Sequence, residues 1–324
     1  MAEESGAAER TDVRYVDVPP QQVGLRLDKF LAEQLPGVPR TRVFRMIRKG
    51  EVRVNGGRTT PQIRLGAGDR VRIPPVRLMA ESPPAGPRGR VLEIIRHAII
   101  HEDERLLVLD KPAGVAVHGG SGIEFGVIEA LRALRPTESF ELVHRLDRDT
   151  SGCLLVARTR AALREAHAVL REGRSQKRYL ALVAGRWTLG QKRIEAPLRT
   201  DTRVNGERTV RVDVNGKASV SEFRPVQLFG TRTRGAPSAS LLEVTLHTGR
   251  THQIRVHAAY AGHPVAGDDK YGDATCNAAL RARGLERMFL HAHSISFEWA
   301  NGVPFSASTP LPPDLAAVLE RLPP

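Results

Sequence analysis

Residues 144–152 read His-Arg-Leu-Asp-Arg-Asp-Thr-Ser-Gly, and residues 153–157 continue as the apolar run Cys-Leu-Leu-Val-Ala. An apolar run of this length after a Thr-Ser-Gly turn predicts a buried strand. The charged residues ahead of the run then form a loop that is held at the end of that strand. Functional side chains are often carried on loops that a rigid scaffold positions. Asp147, between two arginines, is therefore the first candidate site residue.

The composition fits a globular protein with a nucleic-acid partner. The chain has 324 residues, enough for one large and one small domain, and 41% of them are hydrophobic. Its net charge is +13, and residues 25–74 alone contribute +8, from twelve Arg and Lys against four Asp and Glu. Cationic surface displaces the counterions that condense on phosphates. A charge concentrated in one segment therefore favours RNA or DNA as the ligand over a general basic bias.

Several classes of protein are excluded by the sequence. It has no apolar run of membrane-spanning length and no secretory signal, and its two cysteines, Cys153 and Cys276, make neither a disulfide framework nor a zinc site. No Walker or dinucleotide-binding motif is present. His291 and His293 lack a third ligand nearby, so we expect structural histidines there. We expect no metal, no organic cofactor, no membrane association and a reducing cytoplasm as the location.

Residues 21–75 are predicted to form a small basic α/β domain, preceded by a flexible tail (1–20) with one short strand at 14–18. We expect a helix over 25–35, a second helix capped by Thr41 and ending at Gly50, and strands at 51–55 and 68–73, with Asn55-Gly56 as a turn. The polar face of the second helix and the following strand carry the cations that we predict to bind RNA: Arg40, Arg42, Arg45, Arg48, Lys49 and Arg53.

Residues 76–92 are rich in proline and glycine, which predicts a linker. Residues 93–324 are predicted to form the second domain, because short apolar strands alternate there with a few helical stretches. Its connections are often short or Gly-rich, which favours an α+β fold over regular βαβ alternation.

Four segments of this domain carry candidate chemistry. They are a Gly-rich loop at 110–120, the nonapeptide 144–152, the strand start Gln-Lys-Arg-Tyr-Leu-Ala-Leu-Val at 176–183, and Thr-Gly-Arg-Thr-His-Gln-Ile-Arg-Val-His at 248–257. Alternation from Gln253 predicts a strand, with Arg255 and His257 on one face. Each segment alone also has a structural explanation: a turn, an Arg–Asp network, a core tyrosine.

Together the four segments resemble the RluA family of pseudouridine synthases, and residues 21–75 resemble the S4-like RNA-binding module. The resemblance implies an α+β pseudouridine synthase domain on a mixed, largely antiparallel sheet with flanking helices, and a small N-terminal S4-like domain. It also implies an essential nucleophile at Asp147, an active-site tyrosine at Tyr179 and an arginine, Arg255, that pairs with Asp147. Asp149 is expected to be an orienting or structural carboxylate. Arg145 and Arg250 are expected to bind RNA.

The implied reaction isomerises uridine in RNA by breaking the N1–C1′ bond and forming a C5–C1′ bond. The uridine must be extruded into a pocket, where Tyr179 can stack on the base and accept the proton from C5. Arg255 would keep the shielded Asp147 carboxylate ionised and orient it bidentately. The carboxylate can attack C1′, add to C6 or remove a sugar proton, and the sequence does not distinguish these. The resemblance is strongest to members acting on the large ribosomal subunit, which implies 23S rRNA, or a large-subunit precursor, as the partner of a monomeric enzyme.

Two other functions stay open from the sequence. A non-catalytic RNA-binding or ribosome-assembly factor would need only the basic N-terminal segment. A glycoside or nucleoside hydrolase would use Asp147 and Asp149 as a carboxylate pair, since such carboxylates flank the scissile bond.

Overall fold

The structure is a computed structural model that describes residues 9–10, 12–35, 38, 40–78, 89–119, 125–202, 208–230 and 238–323. The chain divides into two compact units, Met1–Ala85 and Gly86–Pro324. The predicted linker, 76–92, lies mostly outside the described residues, and of the predicted tail residues 9–10 and 12–20 are described. Within the described ranges, no helix has both the length and the apolar character needed to cross a bilayer.

The first unit is a small α/β structure. Its elements are β1 (Glu9–Arg10), β2 (Arg14–Asp17), a 3-10 turn (Pro20–Gln22), α1 (Leu27–Gln34), α2 (Arg40–Lys49), β3 (Arg53–Val54), β4 (Arg70–Ile73) and β5 (Arg77–Leu78). Strand β4 lies between β2 and β3, and β1 pairs with β5. Both helices pack their apolar faces, including Phe30 and Ile47, into one core.

The predicted elements of this unit are present but shorter than expected: the helix predicted over 25–35 spans Leu27–Gln34, and the strands predicted at 51–55 and 68–73 span Arg53–Val54 and Arg70–Ile73. Helix α2 begins at Arg40, so Thr41 lies inside the helix and is not its cap. The helix ends where expected, at Gly50, whose φ of 73° is left-handed. Asn55 and Gly56 have φ values of 50° and 78°, which is the pattern of the tight hairpin turn predicted for Asn-Gly.

The second unit is built on one large sheet. Its helices are α3 (Arg90–His97), α4 (Val127–Leu134), α5 (Arg160–Arg171), α6 (Gln253–Tyr260), α7 (Ala274–Arg281) and α8 (Pro313–Glu320). Its strands are β6 (Ile99–Glu102), β7 (Leu106–Lys111), β8 (Glu141–Leu142), β9 (Ser151–Ala157), β10 (Gln176–Ala184), β11 (Lys192–Glu195), β12 (Leu198–Thr202), β13 (Arg208–Val212), β14 (Val220–Phe229), β15 (Ala239–Leu246), β16 (Leu290–Glu298) and β17 (Pro304–Ser308).

The sheet is mixed and largely antiparallel. The strand order is β11-β14-β15-β10-β16-β9-β7-β6, with β17 paired to β16 and β8 to β9, while β12 and β13 form a separate hairpin. Among the described strands of this sheet, only β16 and β9 pair in parallel. Helices α3, α4 and α6 pack on one face, and α5, α7 and α8 on the other. The predicted α+β fold is confirmed.

Strand β9 is the apolar run with which the sequence analysis began, and every residue in it is buried. Leu154 and Val156 enter the core under α3 and α4, whereas Cys153 and Leu155 enter the core under α5. A strand covered on both faces can be apolar throughout. The strand therefore fixes the nonapeptide loop at the middle of the sheet.

Gly152 lets β9 approach β16. It has a φ of 110°, and a Cβ placed on it would lie 2.3 Å from the carbonyl oxygen of Ala292. Only glycine fits this contact. The glycine of the Thr-Ser-Gly turn thus fixes the end of the loop against the neighbouring strand.

The prediction of a strand at 253–257 is wrong. These residues form the first part of helix α6, and Gln253, Ile254, Arg255, Val256 and His257 are all buried. The apparent alternation of polar and apolar residues did not mark an exposed face, because the polar members are buried and hydrogen-bonded as well. Gln253, for example, donates to the Val220 carbonyl and the Ser221 hydroxyl.

Candidate active site

A buried lysine at the end of β7 hydrogen-bonds to the backbone of the nonapeptide loop. Lys111 is fully buried, and its ammonium donates to the carbonyl oxygens of Pro112, Val115 and Arg148 at 2.8, 2.7 and 2.9 Å. Burial lowers the pKa of Lys111 to about 7. Three acceptors require all three ammonium protons, so the contacts define the protonated form. Lys111 thereby joins the Gly-rich loop to the backbone beside Asp147.

Asp147 lies opposite Arg255, as the sequence analysis expected. Nη1 of Arg255 is 3.3 Å from Oδ2 of Asp147, and the Asp147 side chain is 26% exposed. The two residues are 108 positions apart in the chain. Within the described residues Oδ1 of Asp147 has no hydrogen-bond partner, so one carboxylate oxygen is available to a substrate.

The guanidinium fork of Arg255 binds a different carboxylate. Nε and Nη2 of Arg255 donate to Asp268 at 2.7 and 2.8 Å, and the Asp268 side chain has no exposed surface. The expectation of a bidentate pair with Asp147 is therefore wrong: the fork orients Arg255 on Asp268, and the remaining nitrogen contacts Asp147. The Arg255 guanidinium also lies 5.0 Å from the centre of the Tyr271 ring.

The charges of this cluster are mutually stabilised. Burial opposes the ionisation of Asp268, but the hydrogen bonds from Arg255 and from the amides of Lys270 and Tyr271 lower its pKa. Burial also opposes the charge on Arg255, yet Asp268 and Asp147 raise its pKa above the ordinary value. Arg255 is a permanent cation beside Asp147.

His252 is the other polar neighbour of Asp147. It occupies the left-handed region, with a φ of 52°, which is uncommon for residues other than glycine. Tyr271 Oη accepts from the amide of Val210 at 2.9 Å and lies 2.8 Å from His252 Nδ1. We assign the tyrosine proton to that contact, which leaves the imidazole proton on Nε2, 4.0 Å from Asp147 Oδ2. Burial lowers the pKa of His252, so the ring is neutral.

Two cavities meet at Asp147, His252 and Arg255. The Tyr179 cavity, of about 810 Å³, is lined by Tyr179, Leu146 and Leu290 and by a set of cations. The second cavity, of about 1150 Å³, is lined by Tyr271, Asp268 and part of β13. Asp147 therefore lies at the border of both cavities, within reach of a ligand in either.

Tyr179 is buried in β10 with its ring in the apolar core. Burial, and then the charge of Asp147, raise the pKa of its phenol. The residue is therefore a neutral hydrogen-bond donor at neutral pH and not a base.

The remaining predicted site residues are placed in both units. Arg145 and Arg250 line the Tyr179 cavity. In the first unit Arg45, Arg48 and Lys49 are exposed on α2 and Arg42 is half-buried; the side chain of Arg40 lies outside the described residues. Arg53 is exposed, and its guanidinium donates to the carbonyls of Gly50 and Gly56. Asp149 is paired with its neighbour Arg148 at 3.1 Å.

The histidines outside the site have protein partners. His291 contacts the hydroxyls of Ser151 and Thr309 at 3.0 and 2.9 Å, and His293 contacts the Thr309 carbonyl. Burial lowers the pKa of His291 to about 4. Among the described residues no group of three His, Cys, Asp or Glu side chains is arranged to hold a metal ion.

The sequence analysis assigned no role to three residues that the structure places in this site: Lys111, Asp268 and Tyr271. For His252 the sequence leaves open RNA phosphates or internal hydrogen bonds, and the structure shows a hydrogen bond to Tyr271. Asp268 and Tyr271 belong to Gly267-Asp-Asp-Lys-Tyr-Gly272, a segment that follows the family pattern. That pattern was the signal available for them. Lys111 belongs to the Gly-rich segment 110–120, and nothing in the sequence indicates that its ammonium is buried.

Comparison with known proteins agrees with this geometry. A family model for RNA pseudouridylate synthase matches residues 105–260, and a model for the S4 domain matches residues 25–71. The ribosomal large subunit pseudouridine synthase C of Haemophilus ducreyi is 51% identical over 290 residues, which cover 89% of this chain and 88% of that protein. The protein of the same name from Vibrio vulnificus is 48% identical over 317 residues, 97% of this chain and 98% of that protein.

A solved structure shows the same fold. Human RNA pseudouridylate synthase domain containing 1 superposes with a TM-score of 0.56 at 28% identity, covering 68% of this chain and 86% of that one. The match to the relatives spans the S4-like unit and the catalytic unit alike. The chain therefore belongs to the RNA pseudouridylate synthase family, whose members isomerise uridine to pseudouridine in RNA, and it carries an N-terminal S4 domain.

Proposed function

We propose that this protein isomerises specific uridines of 23S rRNA to pseudouridine, acting as a cytoplasmic monomer on the rRNA or on a large-subunit precursor. The relatives named for the large ribosomal subunit cover nearly the whole chain. We propose residues 21–75 as the RNA-binding domain and 93–324 as the catalytic domain. The exposed cations of α2 would contact the RNA backbone.

The observation that carries the proposal is the position of Asp147. Its carboxylate contacts a permanent cation, keeps one oxygen without a partner among the described residues and borders the cavity that holds Tyr179. Arg255 is itself fixed by the buried Asp268. A charged group held this rigidly needs little reorganisation when the reaction begins.

The chemistry follows from the cavity. A stacked uridine hides its C1′, so the nucleotide must be extruded, at a cost of about a few kcal/mol. The base enters the Tyr179 cavity and Asp147 reacts with the nucleoside. The N1–C1′ bond breaks, the uracil turns, and C5 bonds to C1′. C5 then loses its proton and N1 gains one, so the product is an isomer and no cofactor is consumed.

Asp147 is also the proposed acceptor of the C5 proton. It is the one carboxylate among the described residues that line the Tyr179 cavity, and the neutral phenol of Tyr179 is a poor base. Tyr179 is left the role of stacking on the uracil and fixing its plane. His252, with its Nε2 proton toward Asp147, would stabilise the carboxylate in its ionised form before that transfer.

The test is a tritium-release assay on unmodified 23S rRNA transcript labelled at C5 of uridine, with 16S rRNA transcript as the control. We expect release from 23S rRNA alone, at a small number of positions that carbodiimide primer extension then maps. Release of free uracil would indicate a hydrolase instead. Tight binding with no release would indicate an RNA-binding factor.

A further inference from the structure

Lys177, a cation that lines the Tyr179 cavity, has no counter-charge among the described residues. Lys177 lies on β10 two residues before Tyr179, so both side chains project from the same face of the strand. Its ammonium lies beside Gly249, within 3.9 Å of where a Cβ on that glycine would be. Within the described residues the side chain has no hydrogen bond and no ion pair with a carboxylate.

The surroundings of Lys177 make the charge costly. Burial lowers the pKa of Lys177, and the guanidinium of Arg250 lowers it further. Its other titratable neighbour is His144, whose pKa is lowered to about 4 by burial and by the charge of Lys177. His144 accepts a hydrogen bond from the amide of Leu155 and is neutral, so it offers no negative charge.

Arg250 is only partly used by the protein. Its Nε donates to the carbonyl of Ala218 at 3.1 Å, and the terminal nitrogens have no partner among the described residues. Lys177 is half-buried and Arg250 is exposed, both line the Tyr179 cavity, and neither has an ion pair with a carboxylate among the described residues. A half-buried ammonium without a counter-charge is costly in the free protein. Sequences keep arrangements of this kind mainly where a ligand needs them.

We propose that Lys177 and Arg250 form a binding subsite for the phosphodiester next to the target uridine. The inference rests on the proposed function, because it takes RNA as the ligand. The phosphodiester is the charged group of RNA, whereas uracil and ribose are neutral and do not compensate two cations. Two residues along a strand span about 7 Å, so a nucleotide whose base lies on Tyr179 brings a neighbouring phosphate within reach of Lys177.

The subsite has a consequence for both affinity and stability. A phosphate between the two side chains makes charge-assisted hydrogen bonds to each. Removing the Lys177 charge therefore weakens the complex with RNA while relieving a repulsion in the free protein. A lysine with a merely structural role would show the opposite effect on stability.

The experiment compares Lys177→Met with Arg178→Met in the full-length protein. Arg178 carries the same charge one residue along the strand, on the opposite face, and donates to Gln176. Binding of 23S rRNA transcript is measured between about 50 and 300 mM salt, and thermal unfolding is measured without RNA.

We expect Lys177→Met to raise Kd about tenfold and to make the plot of log Kd against log salt shallower by about 0.7 to 0.9. We expect its melting temperature without RNA to be unchanged or higher. Lys177→Arg should restore the salt slope, and Arg178→Met should change Kd less than about twofold.

An unchanged Kd and salt slope in Lys177→Met would overturn the subsite, as would a loss of stability in the free protein. The two proposals fail separately. If the wild-type protein forms no pseudouridine but these binding differences are found, the proposed function falls and the subsite stands. If pseudouridine forms and Lys177→Met binds as the wild type does, the subsite alone is wrong.

Discussion

Replacing Asp268 by Asn tests how the guanidinium of Arg255 is held. Oδ1 of Asp268 accepts from Arg255 and from the amides of Lys270 and Tyr271, and Oδ2 accepts from Nε of Arg255 at 2.7 Å. An Asn that keeps its oxygen at the Oδ1 position must place its amide hydrogens against the Nε–H of Arg255. One charge-assisted hydrogen bond then becomes a contact between two donors.

The expected effect on stability is large because both partners are buried. Asp268 has no exposed side-chain surface and Arg255 has 10%. Removing one partner of a buried pair costs about 3 to 5 kcal/mol, which corresponds to a decrease of about 6 to 20 °C in the melting temperature of a unit of this size. The rate of pseudouridine formation should fall about a hundredfold, because Arg255 no longer holds Asp147 in place.

Asp269→Asn is the matched control. Asp269 is the next residue, its side chain is 86% exposed, and it pairs with an exposed Arg281 at 3.2 Å. Such surface pairs contribute about 0 to 1 kcal/mol. Thermal unfolding is measured for both variants, and tritium release is measured at a temperature where both are folded. If Asp268→Asn behaves like Asp269→Asn in both assays, the buried fork does not orient the site.

Three further changes test the support of the nonapeptide loop. Gly152→Ala places a Cβ against the Ala292 carbonyl and should destabilise the protein by more than about 3 kcal/mol in urea unfolding. The control is Gly262→Ala, where the φ is also positive but the space is open. It should cost about 1 kcal/mol in the same measurement. Lys111→Met removes the group that donates to three carbonyl oxygens. It should lower the free energy of unfolding by about 3 kcal/mol or more and remove most of the pseudouridine-forming activity. A variant with normal stability and rate would contradict the role of Lys111. Because burial lowers the pKa of His291 from 6.5 to about 4, the unfolded chain binds a proton in this window that the folded protein does not. The free energy of unfolding should therefore fall by up to about 3 kcal/mol as the pH is lowered from 6.5 to 4. In His291→Gln the free energy of unfolding should depend less on pH in this range. An equal pH dependence in the wild type and the variant would contradict the role of His291.

The sequence predicted the strand and loop that carry Asp147, because a strand buried on both faces is apolar at nearly every position and such a continuous run is recognisable in the sequence. It did not predict helix α6. There the polar residues Gln253, Arg255 and His257 are buried with the apolar ones, so alternation in the sequence has no relation to exposure.

The site itself was predictable only in part. Asp147, Tyr179 and Arg255 were identified through a family resemblance, since no local pattern relates residues 108 positions apart. The role of Asp268 depends on its lying beside Arg255 in the folded chain. The missing counter-charge of Lys177 is likewise a property of its surroundings, which only the packed structure defines.

The most direct measurement of the central claim is turnover by Asp147→Asn on 23S rRNA transcript, with RNA binding measured on the same preparation. The substitution keeps the shape of the side chain and removes its charge. We expect tritium release to be lost while RNA binds as tightly as before or more tightly, because a negative charge has left a cationic cavity. Release at a rate near that of the wild type would contradict the assignment of Asp147 as the reacting carboxylate.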